Sequence, residues 1–272
     1  MLKKICIVIP VYNYSLLFDR CIQSAINVDI PQNEYDIIIV DDCSDEYFSK
    51  LYKSYKNDNI KYIKLGQRSG PGIARIEGLK YSEAKYCCFL DADDFVDSSY
   101  YTELINKLED NDSYDFAIGG IIHYNDVTKN ERIYSNPHEN KILQKKWMIP
   151  YFCKDTGALS LWNKVYKKKL FDNFIPKRGR YSYEELSFLF HINDVMDKGI
   201  FVHTNSFYHY TMQQDYDVKY PYTPIEALKE IESFLRRNDV QSKAKEFLIK
   251  IIRDKKIQNK KYKTENGVIP EC

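Results

Sequence analysis

The 272-residue sequence carries almost no net charge: Lys+Arg 40 against Asp+Glu 39 leaves a formal +1. Without a one-signed global field, nucleic acid is not the expected partner, and any charge that matters must act locally. No uninterrupted apolar run reaches ~18 residues, so no transmembrane helix is expected. The seven cysteines, Cys6, Cys21, Cys43, Cys87, Cys88, Cys153 and Cys272, form no Cys-x-x-Cys pair and show no metal-ligand spacing. Most lie in apolar runs and read as small buried side chains in a reducing compartment. The opening "MLKKICIVIPVYN" has a basic start, but its apolar run is short, breaks at Pro10 and lacks a small-residue cleavage site. It reads as a first strand rather than a signal peptide, and the expected location is cytoplasmic. No internal repeat or low-complexity linker divides the chain.

What is present is an alternation. "KICIVIPV", "YDIIIVDD" and "KYCCFLDAD" are continuous β-branched or apolar runs, with a weaker "NIKYIKLG" between the second and third. Runs of that kind suit strands buried on both faces of a parallel sheet. Between them, "SLLFDRCIQSAINV", "EYFSKLYKSYKN" and "GIARIEGLKYSEA" place apolar residues at helical spacing, and "SSYYTELINKLEDN" follows as a further helix. Strand and helix therefore alternate, which predicts βαβ units and an α/β fold. From "YDFAIGGIIHYN" to about Trp147 the pattern predicts strands and polar loops, antiparallel in character, and the stretch from Lys145 to Phe174 a mostly helical segment. "TPIEALKEIESFLRRND" and "SKAKEFLIKIIRDKKIQNKKYK" predict two amphipathic helices. The expected organisation is a catalytic domain over 1–215, divided near 113/114, and a small helical basic extension over 216–272.

The strand ends hold the chemistry. Asp41 and Asp42 close one apolar run, and Asp91, Asp93 and Asp94 crowd the end of another in "CCFLDADDF". Ligands of open parallel sheets bind beyond the carboxyl ends of the strands. Carboxylates this close repel unless a cation or hydrogen-bond donors compensate them. Mg²⁺ or Mn²⁺, held by one or two carboxylates together with substrate phosphates, is the simplest compensation. One aspartate alone would be explained as a helix cap, a role expected of Asp97 or Ser98.

"IVIPVYN", "IIIVDDCSD", "SGPGIARIEGL" and "CCFLDADDF", in that order, resemble the successive signatures of family-2 glycosyltransferases, nucleotide-sugar enzymes of the GT-A fold. "LWNKVYKKKLF", "YSYEELSFLF" and "FYHYTMQQD" resemble that family's second half, so the likeness runs over about residues 3–216. The resemblance implies a Rossmann-like, mostly parallel sheet flanked by helices. It implies Pro10 and Tyr12 at the nucleobase, Asp42 on uracil, Asp91 near the ribose or metal, and Asp93 as direct metal ligand on the diphosphate. Arg75 would lie beside the nucleotide, where a guanidinium meets two phosphate oxygens at once. His209 would approach the diphosphate or metal. Ile76 replaces the family's usual Asn, and Cys43 stands where Gly often follows the two aspartates.

The same resemblance puts the catalytic base of an inverting transfer at the pair Glu184 and Glu185, with Glu185 on the usual Asp position. Pattern alone also allows the pair to be the first turn of an ordinary amphipathic helix. Trp162 and Asn163 fall in a segment that lines the acceptor side in relatives, although Trp162 at helical spacing from Leu159 and Val165 reads equally well as core. Between Lys243 and Lys263 nine Lys or Arg face two acidic residues. That face suits either an anionic membrane surface near lipid-linked acceptors, or a helix packed on the catalytic domain or on a second subunit. The expected activity is metal-dependent transfer of a hexose or N-acetylhexosamine from a UDP-sugar to a hydroxyl of a cell-surface glycan. Two alternatives remain: a catalytically degenerate nucleotide- or glycan-binding module, and a Mg²⁺-dependent phosphoryl-transfer enzyme. A first strand that ends in "PVYN", with no carboxylate at its tip, argues against the latter.

Overall fold

Along strand β1 (Ile5–Val11) alternate side chains enter two different cores. Cys6 and Val8 join one cluster with Ile38, Val40, Cys87 and Phe89; Ile5, Ile7 and Ile9 join another with Ile37, Ile39, Cys88 and Leu90. Successive Cβ atoms point to opposite sides of a strand, so a sheet covered on both faces needs an unbroken apolar run. These contacts come from a computed structural model of the chain, which describes residues 3–14, 16–145, 160–176, 185–212, 225–237 and 242–266.

β1 lies between β2 (Tyr35–Asp41) and β4 (Tyr86–Phe89), parallel to both, and β3 (Ile60–Lys64) extends the sheet parallel to β2. The helices α1 (Phe18–Ile26) and α2 (Glu46–Ser54) cover one face, and α3 (Pro71–Leu79) covers the other. After the short β5 (Phe95–Val96), α4 (Tyr100–Glu109) returns to the α1 side. Its N-cap is Ser99, with no side-chain cap bond, so neither Asp97 nor Ser98 fills the capping role expected of it. Asp97 is used instead to accept from His209 and from the Phe207 amide.

The middle of the chain forms the expected strands between Tyr114 and Gln144 but divides them between two sheets. β6 (Tyr114–Ile118) belongs to the large sheet, whereas β7 (Ile121–Asn125) and β8 (Glu131–Ser135) form a hairpin in a second sheet. Gly119 and Gly120 make the transfer at close quarters, since a Cβ at either would lie under 3 Å from Tyr100, or from Thr204 and Phe207. β9 (Lys141–Gln144) and β10 (Lys164–Lys167) return to the large sheet, whose order is β3-β2-β1-β4-β10-β6-β11-β9 with β11 at Lys198–Phe201. The stretch around Lys164 is therefore a strand followed by a 3₁₀ turn, not the helix its spacing suggests. Lodged antiparallel between β4 and β6, it gains a hydrogen-bond ladder on both edges, and that outweighs local periodicity.

α5 (Glu185–Val195) and β12 (Tyr208–Met212) complete the core, β12 lying between β5 and β7 in the small sheet. α6 (Ile225–Arg237) packs on α5 and α7 (Ser242–Asn266) on α6: Phe234 stacks on Phe190 at 4.1 Å, and Leu228, Ile231, Leu248 and Ile251 join the same cluster as Val8 and Val40. Among the described residues no helix is long and apolar enough to cross a membrane. Cys6, Cys21, Cys87 and Cys88 are buried and unbridged, and burial pushes the Cys6 thiol up to about 12.

α3 sits close on the sheet because Gly78 has no side chain. A Cβ there would lie 2.5 Å from Val8 Cγ1 and 2.9 Å from Val40 Cγ2, both on stiff β-branched residues. Gly78→Ala is expected to destabilise the fold by about 1–3 kcal/mol, read as a lower thermal midpoint. A midpoint equal to the wild type would mean that α3 can lift off the sheet without cost.

Candidate functional site at the carboxyl ends of the parallel strands

β1, β2 and β4 run in the same direction, so the loops after them converge at one end of the sheet. Pro10 is half-buried near the end of β1, opposite Val40, and Tyr12 projects just beyond with 37% of its surface exposed. The Arg68 guanidinium lies 4.0 Å above the Tyr12 ring. Asn13 adopts a left-handed φ of 44° and exchanges hydrogen bonds with Asp45, tying this loop to the one that follows β2.

Asp41 and Asp42 divide the work at the end of β2. Asp41 is fully buried and accepts from the Ser44 amide, the Ser49 hydroxyl and the Tyr62 hydroxyl at 2.6–2.7 Å. Burial pushes its pKa up, but these donors more than offset that, and the net shift is downward. Asp42 accepts the Ser69 and Gly70 amides, one on each oxygen, at 2.6 and 2.8 Å. Burial nevertheless raises its pKa. The carboxylate that the resemblance assigns to uracil thus also clamps the turn leading into α3, where Gly70 has φ 89° and Pro71 opens the helix.

From α3, buried Arg75 reaches Asp91 just beyond β4, Nη2 to Oδ1 at 2.8 Å. Its immediate partner is a carboxylate, so Arg75 acts first on the acidic turn. Asp91 and Asp93 are half-buried, whereas Asp94 points inward. Asp94 accepts the Tyr208 hydroxyl at 2.7 Å and the Thr211 amide at 2.8 Å, and the Tyr208 oxygen in turn accepts the Asp91 amide. Burial raises the Asp94 pKa well above the carboxylate range, and the charges of Asp93 and Asp91 add to the rise. Neighbouring carboxyl groups therefore have unlike surroundings: Asp91 is paired with Arg75, and Asp94 is an internal anchor.

His209 is placed differently from the metal-side position implied by resemblance. It is buried on β12, stacks on Phe95 at 4.2 Å, and has Asp97 2.9 Å from Nε2 and Glu131 3.3 Å from Nδ1. Through the Asp97 hydrogen bond and the Phe95 ring it joins β12 to β5, while Glu131 of β8 lies near Nδ1 without a hydrogen bond to it. Trp162 is buried and stacks on Tyr208 and Tyr210 at 4.4 and 5.4 Å, and Asn163 is buried with its carbonyl accepting from Gly119 and Tyr100. Both shape the core beneath the site rather than its open surface. Glu185 is half-buried at the first residue of α5; Glu184 lies outside the described residues. Sequence reasoning passed over Arg20 and Tyr208, which sit within elements that already had a structural explanation, and Arg68, which lies in the loop between β3 and α3.

The chain matches the profile of Glycosyl transferase family 2 over residues 6–175. It belongs to that family. Among curated relatives, the poly(ribitol-phosphate) beta-glucosyltransferase of Bacillus spizizenii is 35% identical over 119 residues, covering 43% of this chain and 19% of the relative. The poly(ribitol-phosphate) beta-N-acetylglucosaminyltransferase TarS of Staphylococcus aureus is 31% identical over 97 residues, 35% of this chain and 17% of TarS. The chain thus spans about a fifth of these relatives' length. Among solved structures, S. aureus TarS 1–349 in complex with UDP-GlcNAc superposes with a TM-score of 0.71 at 18% identity, covering 90% of this chain and 70% of that one. Like TarS, this family-2 chain has the GT-A fold, a large mixed sheet flanked by helices.

Among the described residues no three His, Cys, Asp or Glu side chains converge into a closed metal cage. The donor set fits an open site instead. Asp91 and Asp93 offer hard oxygens, and their combined charge reaches far enough to raise Asp94 and, after burial and Asp94 itself, the Cys21 thiol. A divalent cation that takes only two protein carboxylates and completes its shell with phosphate oxygens and water suits that arrangement.

Proposed function

We propose that this chain is a metal-dependent inverting glycosyltransferase that moves a hexose or N-acetylhexosamine from a UDP-sugar to a hydroxyl of a cell-surface glycan. One observation carries the reading: the Asp91–Asp93 turn lies at the same sheet end as Tyr12 and Asp42 and is braced by Arg75. That end accommodates a nucleoside with its base toward Tyr12 and its diphosphate toward Asp93. The names of the relatives, beta-glucosyl- and beta-N-acetylglucosaminyltransferases of poly(ribitol-phosphate), support the sugar class and a polymer acceptor.

A bound Mg²⁺ or Mn²⁺ would supply charge stabilisation for the departing diphosphate. The chain's own residues do the rest. Asp91 and Asp93 would hold that cation, with Arg75 keeping Asp91 oriented. Glu185, with Glu184 beside it, takes the proton from the acceptor hydroxyl as that oxygen forms its bond to the anomeric carbon. The anomeric C–O bond to phosphate breaks at the same time, and UDP leaves with the electron pair, so the anomeric configuration inverts. For a lipid-linked acceptor, the exposed cations of α7, among them Lys245, Lys250, Arg253 and Lys256, provide a peripheral contact with an anionic membrane.

The test is UDP titrated by calorimetry with and without Mn²⁺, followed by UDP-glucose and UDP-GlcNAc turnover on a poly(ribitol-phosphate) acceptor. Binding that strengthens with Mn²⁺ is expected. No UDP binding in either condition would remove the nucleotide from this site and with it the proposed activity.

A further inference from the structure

α1 holds the backbone of the acidic turn at three points. The Cys21 thiol lies 3.4 Å from the Asp91 carbonyl oxygen, Arg20 Nη2 donates to the Asp93 carbonyl oxygen at 3.1 Å, and the Ser24 hydroxyl accepts the Val96 amide at 3.3 Å. Residues 20, 21 and 24 share one side of a helix, so a single element spans the turn from Asp91 to Val96. Arg20 is the unexpected member. The other inward residues of α1, Phe18, Cys21, Ile22 and Ala25, are apolar or small, and a guanidinium among them must have compensating partners.

Both terminal nitrogens have them. Nη2 also donates to the Thr211 hydroxyl at 2.7 Å, and Nη1 pairs with Asp126 at 3.1 Å. The guanidinium carbon sits 4.3 Å from the centre of the Phe95 ring and 4.8 Å from that of Tyr124. Nε is buried and has no hydrogen-bond partner among the described residues. Arg20 thus joins α1, the Asp93 carbonyl, β5, β12 and the β7–β8 hairpin through one planar group, which a flexible ammonium could not replace.

We infer that Arg20 is a positioning residue: it fixes the main chain at Asp93, and so the direction in which that carboxylate meets a divalent cation on the nucleotide diphosphate. The inference rests on the metal-nucleotide reading of the Asp91–Asp93 turn. Arg20 acts through the Asp93 carbonyl and touches neither cation nor nucleotide. Two effects of removing it have opposite signs. Losing the donor lets Asp93 turn away and weakens cation binding; losing a positive charge near three carboxylates strengthens it. Arg20→Lys separates them, because it keeps the charge but cannot make the Asp93, Thr211 and Asp126 contacts together.

UDP is titrated into the wild type, Arg20→Lys and Arg20→Met over a series of Mn²⁺ concentrations and without metal, with a thermal melt of each protein. Both variants are expected to melt cooperatively and to keep the wild-type metal-free UDP affinity. Each is expected to need on the order of tenfold or more Mn²⁺ for the same gain, the usual cost of losing a group that orients a metal ligand. If Arg20→Met does not fold, Arg20→Lys alone carries the test. Folded variants with a wild-type Mn²⁺ requirement would make Arg20 a purely structural residue and overturn the inference. Tighter Mn²⁺-dependent binding in Arg20→Met would overturn it as well, by showing that charge rather than placement dominates. A wild type with no Mn²⁺-dependent gain would overturn the metal reading itself, an outcome distinct from a failure confined to the variants.

Discussion

Asp93→Ala is expected to abolish Mn²⁺-dependent turnover and to reduce UDP binding to its metal-free level. Asp93 is half-buried just beyond β4; Asp91, oriented by Arg75, already serves in the proposed cation site, and Asp94 is held inward by Tyr208 and Thr211, so neither replaces it. Loss of cation stabilisation is worth several kcal/mol in the transition state, on the order of 10³ in rate. The fold should survive, since removing one of three crowded like charges relieves repulsion and lets the Asp94 pKa relax downward. Calorimetry and turnover on one preparation, with a thermal melt, read all three effects. A variant that keeps Mn²⁺-dependent turnover would move the metal away from Asp93.

Glu185→Gln is expected to lower turnover by ~10² or more while leaving UDP and UDP-sugar affinity unchanged. The amide fills the space of the carboxylate and stays compatible with the first turn of α5, where Glu185 stands, so the loss is expected without a change in thermal midpoint. A fall in kcat at constant donor affinity marks a group that acts only in the transition state. A variant as active as the wild type would turn attention to Glu184, and wild-type UDP binding with no turnover in either protein would favour the degenerate binding module.

The sheet end was legible because it depends on local sequence. "ICIVIPV" and the "IIIV" that follows Asp36 have no polar interruption, and only strands covered on both faces tolerate that. Carboxylates placed directly after such runs must emerge at the sheet edge. The segment around Lys164 was not legible: its spacing fits a helix, and it becomes a strand only because β4 and β6 leave an antiparallel slot for it. Trp162 could have stacked on a sugar or lain in the core, and it stacks on Tyr208 and Tyr210. His209 likewise meets Asp97 and Glu131, residues 112 and 78 positions away in the chain.

By itself the sequence determined the α/β alternation, the family and the acidic turn at the end of β4, because backbone periodicity and strand termination are set by near neighbours. Only the tertiary structure decided that Asp91 pairs with Arg75 and that Asp94 is an internal anchor. Asp91, Asp93 and Asp94 are chemically identical, and their different states come from partners far away in sequence: Arg75 on α3, Tyr208 and Thr211 on β12, and Arg20 on α1. Burial and long-range hydrogen bonds set the charge and direction of a carboxylate, and neither exists until the chain has folded.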